Sequence, residues 1–225
     1  MKKLSKILLV SVLGVFLLAG TAMAYTYTYT DDYANWPGHY IDSRDQIGTP
    51  SVGDMTITIN DTLGYLESIA VEVSERRVWD SLFINIDSAC VVNNAYEGWD
   101  FYYIWNDSQD SGYNVPTAPA TGFYSVGSSY NYITSNNGRI GHPSGISDGL
   151  ASVVGYGVSV DYSNNLLTYT FGGNDKIYLG DEGTFTIGYS PWCANDVFLT
   201  PVPEPLTILL LGFGLLGLGL ARRKS

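Results

Sequence analysis

Apolar and polar residues alternate with a period of two through most of the chain's middle, the spacing of strands that bury one face and wet the other. Residues 25–30 read Tyr-Thr-Tyr-Thr-Tyr-Thr, which sets three tyrosines on one face and three threonines on the other. This predicts an edge strand or an N-terminal arm, against the competing reading of a tyrosine row that stacks on sugars. MTITI at 55–59 and LFINI at 82–86 alternate again, and 65–73 carries Leu66, Ile69, Val71 and Val73 among Glu67 and Glu72. Residues 99–105, WDFYYIW, are dense in aromatic rings, and alternation puts Asp100 opposite Trp99 and Phe101, on an expected solvent face. Segments 130–134, 151–160, 166–171 and 184–189 complete the predicted strands.

Asn and Gly clusters at 136–138, 163–165 and 172–175 separate these runs, and 160–171 reads as a hairpin turning within 161–165. Two Gly- and Pro-marked stretches, 113–122 and 136–149, read as loops. No part of this body keeps a 3.6-residue apolar period over ten residues, and no internal repeat appears. The expected fold is therefore all-β: an antiparallel β-sandwich, jelly-roll-like in size.

The two ends break the pattern. Lys2, Lys3 and Lys6 precede an apolar run at 7–20, followed by Ala22-Met23-Ala24. That is the basic, apolar and small-residue order of a signal peptide, with Ala22 and Ala24 at the cleavage positions. At the other end an uncharged Leu- and Gly-rich segment, 206–221, is followed by Arg222, Arg223 and Lys224. As a helix it spans roughly 24 Å against a hydrocarbon core of about 30 Å, so it crosses if the arginines snorkel and the bilayer thins. The basic stop stays cytoplasmic and the body lies outside. The chain thus divides into 1–24 as signal peptide, 25–200 as exported domain and 201–225 as a C-terminal tail.

Charge narrows the partners. Between Tyr25 and Pro203 stand five basic and twenty-one acidic residues, a net charge of −16; the remaining basic residues all belong to the two ends. Such a body has no basic patch for nucleic acid or anionic lipid. Two cysteines, Cys90 and Cys193, allow one pairing, which an oxidising compartment favours and which would close a loop worth about 4.7 kcal/mol in the chain-entropy model. Two separately buried thiols are the alternative.

Little in the body points to catalysis. His39 and His142 are the only histidines, too few for a His-rich metal site, and no Gly-x-Ser-x-Gly elbow occurs. Acidic loops at 107–112, Asp148, 174–175 and 181–182 offer oxygens of the kind Ca²⁺ takes, without EF-hand spacing, and solvated loops are the ordinary reading. The metal assignment stays unknown and no other cofactor is expected. Asn195 and Asp196 could tie the last strand to a neighbouring turn through side-chain to backbone bonds.

Val202-Pro203-Glu204-Pro205, the Leu/Gly-rich helix and Arg222-Arg223 occur in the order, and at the end, of the PEP-CTERM sorting signal of Gram-negative bacteria, which this tail resembles. The segment Cys193-Ala194-Asn195-Asp196-Val197 is similar to an ending found in many proteins of that kind. The resemblance implies recognition by an exosortase, a membrane protease, with cleavage near Pro-Glu-Pro, transient single-pass residence in the inner membrane and delivery to the cell surface or exopolysaccharide matrix. Two prolines hold such a segment extended, clear of the bilayer. The expectation is a non-enzymatic surface or matrix protein, structural, adhesive or polysaccharide-associated. The rival is a secreted polysaccharide-acting enzyme using a carboxylate pair, and a third reading is a membrane protein whose tail is never cut.

Overall fold

The computed structural model describes residues 24–31, 48–60, 64–76, 78–86, 98–106, 118–134, 142–152, 157–172, 177–179, 184–194 and 196–203. Thirteen strands and no helix occur among them. Strands β1 (Ala24–Tyr29), β2 (Val52–Asn60), β3 (Tyr65–Val73), β10 (Gly157–Ser163) and β11 (Leu166–Gly172) form one sheet, in the order β1-β2-β3-β11-β10. A second sheet runs β13-β12-β4-β5-β6-β9, from β4 (Trp79–Asn85), β5 (Phe101–Asn106), β6 (Gly122–Val126), β9 (Leu150–Ser152), β12 (Thr184–Pro191) and β13 (Phe198–Pro203). Every pairing is antiparallel.

Alternation builds the main core as predicted. Met55, Ile57 and Ile59 of β2, Ile69 and Val71 of β3, and Leu167 and Tyr169 of β11 are fully buried. They pack against Leu82, Ile84, Phe185, Ile187 and Tyr189 of the second sheet. The tyrosines of β1 are half-buried and its threonines exposed. Tyr27 and Tyr29 pack onto the core margin, so β1 is the edge strand the alternation suggested and these two rings are not free for stacking. The hairpin β10–β11 turns on Asn164 and Asn165, both at positive φ, which Asn tolerates and two-residue hairpins require.

The structure departs from the alternation pattern at several points. The aromatic strand has no solvent face, because a ribbon of β7 (Tyr132–Thr134) and β8 (Pro143–Ile146) covers the far side of the second sheet. Tyr102, Phe83, Trp79, Trp99 and Ile104 form a second core there with Ile133 and Ile146. Asp100 is half-buried and accepts a hydrogen bond of 2.7 Å from the Ile86 amide. Part of the stretch taken as a loop at 136–149 is thus strand β8, wholly buried. Its backbone is held by side chains of the second sheet: Trp79 Nε1 and Ser81 Oγ both donate to the Ser144 carbonyl at 2.8 Å, and Ser190 Oγ to that of Pro143 at 2.8 Å.

Residues 151–160 are not one strand either; β9 and β10 lie in different sheets. Connectivity also departs from a jelly roll. The chain lays down β1–β3 in one sheet and β4–β6 in the other, then returns in blocks, rather than alternating sheets strand by strand.

Candidate functional site

Strand β13 carries the junction between body and tail. Phe198 is buried in the main core, Thr200 is buried and Leu199 packs on the second core. Register then pairs Pro201 with Thr186, Val202 with Phe185 and Pro203 with Thr184. The strand is an edge, and its two prolines stand two residues apart, at the same phase of the ladder. Proline has no donor, so both fit only where that phase points away from β12. The outer rim thereby loses two N–H groups and is blunted against further strand addition. The sheet runs three residues beyond the boundary expected at 200, so the sorting segment begins inside the fold.

The N-terminal edge strand lies beside it. A groove of about 380 Å³ is lined by Thr28, Tyr29, Thr30 and Asp31 from the end of β1 and by Phe198, Leu199 and Thr200 from the start of β13. From that meeting point the chain leads back to Ala24 along one edge and forward to Pro203 along the other. Asp196 closes the arrangement: its Oδ2 accepts a 2.8 Å bond from the buried Val52 amide, the side-chain to backbone tie the sequence suggested.

Of the residues singled out in the sequence, Ala24 starts β1 and Val202 and Pro203 end β13. Ala22, Glu204, Pro205, Arg222, Arg223, Lys224 and the apolar helix at 206–221 lie outside the described residues. Cys193 is buried at the turn after β12, while Cys90 lies outside the described residues, as do His39 and the acidic loops at 107–112, 174–175 and 181–182. Asp148 has both oxygens engaged by Asn131, through its backbone N–H at 2.7 Å and its Nδ2 at 2.8 Å. His142 is fully buried at the start of β8.

A buried polar cluster escaped the sequence reading. Asp80 accepts hydrogen bonds from the Arg76 guanidinium and from the Tyr189 hydroxyl. The guanidinium carbon stacks 3.4 Å from the centre of the Trp105 ring. Burial, reinforced by Asp80, holds the Tyr189 phenol well above its ordinary pKa. With both oxygens occupied, Asp80 acts as a strut between β4 and β12 rather than as an acid or base. Its only sequence signal is an acidic residue between Trp79 and Ser81, at the head of an apolar run.

No curated protein and no solved structure matches the chain. Residues 201–224 match the family model of the PEP-CTERM protein-sorting motif, beginning at Pro201 while β13 is still paired with β12. The chain is therefore a PEP-CTERM domain-containing protein, a β-rich body whose last strand runs straight into its sorting signal.

Proposed function

We propose that this protein is a non-enzymatic structural or adhesive component of the cell surface or extracellular polymer, associated with carbohydrate and released to that destination by an exosortase. The sorting motif marks an exported, exosortase-sorted protein, and the reading builds on that. The observation that carries it is the fusion of edge strand and motif at Pro203: the folded body itself is what the sorting machinery delivers, with no spacer between them.

The test is fractionation of cells that contain the processing enzyme. The mature chain should start at Tyr25, lack residues 206–225 and co-purify with extracellular polymer. A full-length chain held in the inner membrane, or reducing sugar released from polysaccharide by the pure protein, would overturn the reading.

A further inference from the structure

Thr26 of β1, Thr58 of β2, Ser68 of β3, Thr170 of β11 and Ser159 of β10 are successive register partners across all five strands of the first sheet. A second row lies beside it: Thr28, Thr56, Ala70, Thr168 and Asp161. The residues between the rows, among them Ile57, Ile69 and Tyr169, are buried, so both rows occupy the outer face. Strand spacing sets neighbours within a row about 4.8 Å apart and the rows roughly 6.7 Å apart. Neither row contains a ring or a cation.

The rows end in a built concavity. A groove of about 570 Å³ lies at the β2, β3 and β10–β11 end of this face, lined by Ser51, Glu72, Ser74, Asn164, Asn165 and Leu166. Glu72 reaches over Gly53, where a Cβ would stand 2.7 Å from its Oε2, so glycine leaves the room that the carboxylate fills. The Glu72 carboxylate has no hydrogen-bond partner among the described residues, and Leu166 beside it is 39 % exposed, one of two large apolar side chains so open among those residues.

We infer that this face and its groove bind a linear, neutral glycan. The inference rests on the surface-component reading above and names the partner. A serine or threonine hydroxyl donates and accepts, as a sugar hydroxyl does, and a carboxylate accepts from two sugar hydroxyls at once. One strand spacing is close to the advance of one sugar in an extended chain, so a chain along the row meets about one protein hydroxyl per residue. The net charge of −11 and the absence of a cation on the face disfavour an anionic polymer. Sheet twist disfavours a flat crystalline surface, whereas a single flexible chain follows it. Each contact replaces one to water and is weak, so affinity grows with chain length.

The test is native affinity electrophoresis of the detergent-solubilised full chain in gels containing hydroxyethylcellulose, with dextran and alginate gels alongside. Hydroxyethylcellulose should retard the protein, and cellohexaose should compete better than cellobiose by roughly tenfold or more. Glu72→Gln and the double variant Thr58→Val/Thr170→Val should each weaken retardation several-fold with an unchanged melting temperature. Should the double variant misfold, the exposed Glu72→Gln alone decides. Unchanged retardation of the variants would overturn the inference while leaving the surface assignment, read from fractionation, in place. Retardation by alginate alone, or by no gel, overturns it too. So does loss of self-association in place of glycan binding, which would make a second copy the occupant.

Discussion

Asp196 Oδ2 lies 2.8 Å from the buried backbone nitrogen of Val52, joining the start of β13 to the start of β2 across the two sheets. The turn that delivers Asp196 includes Ala194 at φ 47, a left-handed conformation unusual for alanine, with its amide bonded to the Pro191 carbonyl at 2.8 Å. Removing the carboxylate orphans a buried donor that had an ionised acceptor. Asp196→Ala should cost about 2 kcal/mol and Asp196→Asn, which keeps an acceptor, about half of that. Denaturant melts of the two variants check the difference; equal losses would show that the bond contributes little.

Tyrosines in the core make a second contrast. Tyr189 donates to Asp80, whereas the Tyr169 hydroxyl is buried without a hydrogen-bond partner among the described residues. Tyr189→Phe should destabilise by about 2 kcal/mol, the value of a bond to a charged acceptor, and Tyr169→Phe should be neutral or stabilise by up to about 1 kcal/mol. Burial raises the pKa of Tyr102, Tyr169 and Tyr189, and lifts Tyr29 to about 12. A raised folded pKa means that the native state holds its proton more tightly. Stability is then untouched below the unfolded value near 10 and falls as pH climbs past it, by about 1.4 kcal/mol per pH unit for each buried phenol. Phenolate absorbance and thermal melts should therefore change together above pH 10, with no loss between pH 7 and 9.

Gly145 lies where the β7–β8 ribbon packs tightly on the second sheet. A Cβ there would sit 2.8 Å from the Tyr102 hydroxyl, 3.2 Å from Ile133 Cδ1 and 3.3 Å from Ser81 Oγ. Gly145→Ala should cost about 1–3 kcal/mol by overpacking. Because the ribbon packs only on the second core, near-UV dichroism from Trp79 and Trp99 should change more than far-UV signal. A uniform loss of both would mean that the ribbon and the sandwich unfold as one.

That ribbon also shows what could be read in advance. Strands β1, β2, β3 and β11 bury one face, so their alternation announced both strand and face. Strand β4 is buried along its whole length, and Asp80 and Ser81 within it bond to Tyr189 and Ser144, far away in sequence. Alternation carries no information about a covered second face, so it places Asp100 toward solvent. Pro143 and Gly145 disguised β8 because they are loop formers in general, yet here a short buried ribbon needs little bulk. The sorting tail was legible because its three features are local. That β13 absorbs Pro203 was not, because strand pairing with Thr184 is a long-range fact.

The pairing of β13 leads to the last prediction, on where the tail can be cut. A chain ended after Pro203 keeps every strand of the second sheet. One ended after Val197 loses β13, removes the Phe198 side chain from the main core and uncovers the backbone of β12. Loss of a buried Phe alone costs about 3–5 kcal/mol, comparable to the whole stability of a small domain. The chain ending at Pro203 should match the melting temperature and protease resistance of the full-length protein, and the chain ending at Val197 should be digested rapidly. Processing beyond Pro203 therefore releases an intact sandwich, whereas a cut within 198–203 would release a damaged one. Mass spectrometry of the mature protein decides between them: a C-terminus before Thr200 would show that β13 peels away during sorting and is not part of the delivered fold.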